Sequence, residues 1–189
     1  MFTDAKDVRE FVLAGCATVT LESERTGAHF TYRVRQAKDR ETEKPAQRWF
    51  VSLLSGPNNE SDYVYLGLID FGARSANFLA PTGPLQFRQT AKAKVGPDAP
   101  SVRGFTYFWK AITEGKMPCS MVVRHEGKCG RCGRTLTVPE SLDRGIGPEC
   151  AGKMGMAATA PREQARPVSG INAAVFRASF ARAFKEAAA

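Results

Sequence analysis

One stretch constrains this chain more than any other: HEGKCGRCGRTLTVPESLDRGIGPEC, from His125 to Cys150. It gathers three cysteines and a histidine into a short, glycine-rich segment. Cys129 and Cys132 form a C-x2-C pair, a spacing that lets two sulfurs reach one ion from a tight turn. Gly130 and Gly133 relieve steric strain in such a turn, and its backbone N–H groups can point at the sulfurs. Cys150 follows after seventeen intervening residues, inside the range of structural zinc sites. A second C-x2-C is not completed, because position 153 is Lys153. A closed tetrahedral site needs a fourth ligand, and His125, four residues before Cys129, is the only nearby imidazole. The expected set is Cys129, Cys132, Cys150 and His125 around Zn2+. His29 lies far upstream and reads as an ordinary strand residue.

The residues between the ligands support that reading. Pro139 to Gly145 looks like one helical turn closed by glycine. Pro148 suits the first position of a second helix, which puts Cys150 in a first turn. There, free N–H groups and the helix dipole favour a thiolate. A knuckle and a helix N-terminus that each donate ligands describe a small, treble-clef-like finger. A simple iron–sulfur cluster would want four cysteines, and only three are local. The competing reading is a redox or coincidental C-x2-C. A module of under about 40 residues has little core and usually needs metal to fold. Zinc binding of roughly 10–16 kcal/mol suffices to order one. A catalytic zinc would keep an open position, which requires that His125 not bind.

Five cysteines without a secretory leader argue against a disulfide scaffold. The opening MFTDAKDVRE lacks the basic-then-apolar order of a signal peptide, and no run of about 18 apolar residues exists. The expectation is a cytoplasmic protein with no membrane association. Cys16 and Cys119, outside the cluster, read as small buried residues.

The chain is 43% hydrophobic, enough to build a core over its first two-thirds. Thr3 can cap a helix running to Gly15, with Val8, Phe11 and Val12 on one face. ATVTLES and HFTYRVRQ alternate around a turn at Gly27 and predict a hairpin. Its second strand places Phe30, Tyr32 and Val34 on one face and Thr31, Arg33 and Arg35 on the other. RWFVSLLS and YVYLGLID supply a third and a fourth strand, and LQFRQTAKAK an edge strand with basic residues facing water. Phe30, Tyr32, Trp49, Phe50, Tyr63 and Tyr65 are read as core. DAPSVRGFTYFWKAITE predicts a helix with Pro100 in its first turn.

The fold class is therefore α+β: an antiparallel β-meander packed with a helix, then the treble-clef-like finger, then a C-terminal amphipathic helix. The expected divisions are 1–118, 119–156 and 157–189. In the last, Phe176, Phe180 and Phe184 recur every four residues as an aromatic ridge.

The finger also resembles a small zinc-binding module of uncharacterised function, found in phage and bacterial proteins and near Swi/Snf-like helicases. Its pattern is roughly CxxCGRxLTxPxS, then GxGPxC. Here the pattern is carried by Cys129, Cys132, Gly133, Arg134, Leu136, Thr137, Pro139, Ser141, Gly145, Gly147, Pro148 and Cys150. Upstream, TGAHFTYRVR, WFVSLLSGPNNESDYVYLG and DAPSVRGFTYFWK look like the domain that often precedes this module in phage proteins. The resemblance implies zinc binding and supplies no activity.

A formal net charge of +8 fits a nucleic-acid partner. The basic groups that would contact DNA or RNA are Arg33 and Arg35 on the sheet, Arg88, Lys92 and Lys94 on the last strand, and Arg124, Lys128, Arg131 and Arg134 around the finger. The alternative is a protein-interaction module that uses the finger or the Phe176/Phe180/Phe184 ridge. No phosphate-binding glycine loop and no Ser/His/Asp set is present, so catalysis is not expected.

Overall fold

The chain enters the fold through helix α1 (Ala5–Leu13), which is capped one residue later than expected. Asp4, not Thr3, takes the cap: its carboxylate accepts from the N–H groups of Lys6 at 2.8 Å and Asp7 at 3.2 Å. Val8, Phe11 and Val12 are buried, as their spacing requires. These positions come from a computed structural model that describes residues 2–39, 41–71 and 84–156.

Strands β1 (Cys16–Ser23) and β2 (His29–Lys38) form the hairpin, with Gly27 at φ +68° in the turn. Strands β3 (Pro45–Leu54) and β4 (Tyr63–Asp70) extend the meander. The edge strand β5 is only Gln86–Arg88. Lys92 and Lys94 therefore fall beyond it, correcting the longer strand expected there. Helix α2 (Pro100–Thr113) follows, and Gly115 ends it at φ +73°. The rest is β6 (Met121–His125), α3 (Pro139–Arg144) and α4 (Pro148–Lys153).

All strand pairs are antiparallel, in the order β5-β4-β3-β2-β1-β6. The architecture is α+β, as expected, but the sheet is longer than the meander by one strand. β6 lies beside β1, with Leu21 opposite Val123 and Val19 opposite His125. The start of the expected finger is thus an edge of the main sheet. The division at 118/119 falls inside one compact unit, Met1–Ala158. The expected linker and C-terminal helix over 157–189, including Phe176, Phe180 and Phe184, lie outside the described residues, as does the loop over 72–83. Among the described residues no helix is long and apolar enough to cross a membrane.

The core lies on the sheet face covered by α1 and α2. Across that face Val19, Tyr32 and Leu53 stand in one row, and Ala17, Val34 and Val51 in the next, all buried. Apolar burial at this density is the main favourable term holding such a unit together. Three large side chains bury a polar tip here, and each is satisfied. Tyr32 Oη donates to the Ser101 carbonyl at 2.7 Å, Trp49 Nε1 to Leu13 at 3.0 Å and Trp109 Nε1 to Leu85 at 3.1 Å. These bonds fix both helices on the sheet.

The opposite face has different chemistry. One row there runs Thr18, Arg33, Ser52, Tyr65, and the next runs Cys16, Arg35, Phe50, Leu68, Arg88. Phe50, Tyr63 and Tyr65 were expected in the core, yet they share this face with the arginines. Phe50 is 42% exposed. The period of two decides it: Trp49 and Phe50 are neighbours in sequence, so only one can face the helices.

Candidate metal centre

Residues 127–136 fold back on themselves. Lys128 and Thr135 form a β-bridge, Cys129 N–H donates to the Arg134 carbonyl at 2.8 Å, and Gly133 N–H donates to the Cys129 carbonyl at 2.9 Å. The turn closes at Gly133, whose φ of +75° strains any residue with a Cβ. Gly130 serves a different need. A Cβ there would lie 2.7 Å from the Phe11 ring and 2.9 Å from the Phe11 carbonyl oxygen. The knuckle thus sits hard against α1, and it is bonded on both sides: Cys16 N–H donates to the Gly130 carbonyl at 2.6 Å, and Gly130 N–H to the Gly145 carbonyl at 2.9 Å.

Gly145 ends α3 in the left-handed region, at φ +71°. The chain then turns into α4, with Pro148 in its first turn and Cys150 shortly after. This brings three sulfurs together. The Sγ atoms of Cys129, Cys132 and Cys150 lie within 4.8 Å of one another. Such a group could hold a metal ion. Cys129 is buried and Cys132 is exposed.

Cys129 and Cys150 differ in proton affinity. Burial alone would raise Cys129, but N–H groups of Gly147, Cys132 and Arg131 outweigh it and bring the thiol down to about 7. The Gly147 N–H lies 3.5 Å from this sulfur. Cys150 is pushed up to about 11 by burial, and by the neighbouring Cys132 and Cys129. Burial and the neighbouring thiols thus oppose the helix dipole at Cys150. Three thiolates this close repel one another, and a dication is what permits all three to lose their protons.

The structure does not bring His125 into the sulfur group. Its Nδ1 accepts from Gly127 N–H at 3.1 Å, and its Nε2 lies 2.7 Å from the Leu142 carbonyl. Both ring nitrogens are thus engaged, with the proton on Nε2. The ring packs against both Phe2 and Phe11, with centroids 5.0 and 5.6 Å away. Burial holds its pKa below the usual imidazole value, against the opposing pull of the Leu142 carbonyl. His125 is a strut joining β6 to α3. His29 is an exposed strand residue opposite Glu22, as expected.

The expected nucleic-acid contacts are mostly engaged within the chain. Arg33 donates to the carbonyls of Glu60 at 2.9 Å and Asn59 at 3.0 Å, and stacks 3.6 Å over the Tyr63 ring. Arg35 is half-buried and donates to the Ala17 carbonyl at 3.2 Å. Arg88 makes a bidentate pair with Asp70 at 3.1 and 2.8 Å. Arg124 pairs with Glu22 at 3.0 Å, Lys128 with Glu126 at 3.5 Å and Arg134 with Glu149 at 3.8 Å. Arg131 donates to the Cys150 carbonyl at 3.3 Å. Lys92 and Lys94 are exposed. Sequence reasoning missed the aromatic part of this surface, although strict alternation beside Trp49 could have assigned Phe50 to it.

Residues 120–155, from the start of β6 through α4, match a family of unknown function (DUF6011). No curated protein and no solved structure matches the chain.

Proposed function

We propose that this chain is a zinc-binding accessory protein of phage or bacterial type, in which zinc orders the segment over residues 125–153 and the sheet face opposite the helices binds nucleic acid. The observation that carries the metal reading is the trio of sulfurs within 4.8 Å. Thiolate donors select soft or borderline ions, and zinc is the borderline ion that such knuckles hold. The N–H groups aimed at Cys129 favour its ionised form, which fits the donor set to a dication. Bound zinc supplies no redox chemistry here; it joins the knuckle to α4 in a treble-clef-like plan.

Nucleic-acid binding rests on the row of Arg35 and exposed Phe50, with Tyr63 and Tyr65 on the same face. Aromatic faces stack unpaired bases, and cations beside them meet the phosphates. The charged pairs around this surface do not preclude that role. Surface ion pairs are worth about 0–1 kcal/mol, so phosphate oxygens can replace the carboxylates on Arg124 and Lys128. A single-stranded oligonucleotide should bind with an affinity that falls log-linearly as salt rises. Phe50→Ala should weaken it by about 1–3 kcal/mol, the value of one stacked base. Equal binding by wild type and Phe50→Ala, or no response to salt, contradicts the reading.

A further inference from the structure

A tetrahedral zinc ion needs four donors, and the chain's own candidates can be taken in turn. Every cysteine and histidine of the sequence lies among the described residues. Cys129, Cys132 and Cys150 supply three sulfurs. His125 spends both ring nitrogens on Gly127 and Leu142. His29 stands exposed on β2, opposite Glu22. Cys119 is exposed, with its N–H donating to Tyr107 Oη at 3.1 Å.

Cys16 lies beside the knuckle. Its N–H holds the Gly130 carbonyl, and its sulfur lies 3.9 Å from where a Gly133 Cβ would stand. Yet that sulfur is outside the group. Among the described residues no carboxylate joins the group either, and Glu149 faces Arg134. The buried side of the trio is filled by Cys129, with Gly147 N–H directed at its sulfur. The exposed Cys132 marks the side from which a further donor can approach.

We propose that this centre grips its metal, among the described residues, through three thiolates alone and keeps its fourth position for an exchangeable small electron-pair donor: water at rest, replaced by an imidazole nitrogen when one is supplied. This rests on the zinc reading above. The site then orders its own segment and also presents an exchangeable coordination position at the surface, as three-ligand zinc sites do. His125 and Cys16 serve as structural neighbours, not as ligands.

X-ray absorption on the zinc-loaded full chain counts the donors directly. The expected result is three sulfurs and one oxygen or nitrogen scatterer. Added imidazole should keep the three sulfurs and introduce the outer-shell signature of one imidazole. In the cobalt-substituted chain the visible bands should shift and saturate at one imidazole per metal. His125→Gln and Cys16→Ser should give the same spectra as wild type. Four sulfurs, or an imidazole signature before any is added, overturns the proposal, as does indifference to added imidazole. If the donor count in wild type is three sulfurs but His125→Gln alters it, the histidine is a ligand and the proposal fails. A chain that takes up no zinc or cobalt overturns the zinc assignment itself.

Discussion

Gly130 and His125 show how single positions fasten the knuckle to the rest of the molecule. A methyl group at Gly130 meets the ring and the backbone of Phe11 together, so neither a rotamer change nor a small shift relieves it. Gly130→Ala should destabilise the fold by about 1–3 kcal/mol, the usual cost of overpacking. Gly152→Ala, in α4 with open space around it, should cost nothing, and thermal melts of the two variants make the comparison. His125 gives a pH dependence. Its folded pKa is depressed, so the folded state binds fewer protons than the unfolded chain below about pH 6.5. The neutral ring therefore contributes stability above that pH, and the contribution is lost as pH falls through the folded value. Denaturant midpoints at pH 7.5 and 5.5 should drop more in wild type than in His125→Gln. Equal drops would mean that the ring is already free to take a proton.

At the scale of elements, β6 decides how the molecule holds together. Its pairing with β1, and the bond from Phe2 N–H to the Val123 carbonyl at 3.2 Å, tie the cysteine-rich segment to the sheet. Loss of metal in Cys132→Ser should therefore loosen β6 as well as the knuckle. Ending the chain at residue 119 should expose the β1 edge, lower hydrogen-exchange protection of the β1 amides and promote association through that edge. Undiminished β1 protection in the truncated chain would mean that the two parts fold independently. The hairpin, α2 and the short helices at Pro139 and Pro148 were legible in the sequence, because period and punctuation act locally. β6 was not. Met121 to His125 is five residues long, and its partner lies about a hundred residues upstream, so the pairing leaves no local pattern. The same distance hid the role of His125. Sequence proximity to Cys129 suggests a ligand, but the pocket that holds the ring is made by Phe2 and Phe11 at the other end of the chain. β5 is shorter than expected: beyond Arg88, QTAKAK offers no large apolar side chain, only Ala91 and Ala93.

For the molecule as a whole, one face of the sheet carries the helices and the other carries aromatics and arginines, while the metal centre is built around the knuckle that packs on α1. The sulfurs proposed to hold zinc and the aromatic row proposed to bind nucleic acid are separate sets of residues. Oligonucleotide binding should therefore persist, weakened only by lower stability, when the metal is withdrawn below the melting point. Three sulfurs, Cys129, Cys132 and Cys150, are proposed to hold one zinc ion. Native mass spectrometry of the purified full chain, beside a variant with all three changed to serine, reads the metal content of each. One zinc per wild-type chain and none in the variant is the expected result. Zinc retained by the variant, or a folded wild-type chain of metal-free mass after growth and purification with zinc present, rules the three-sulfur site out.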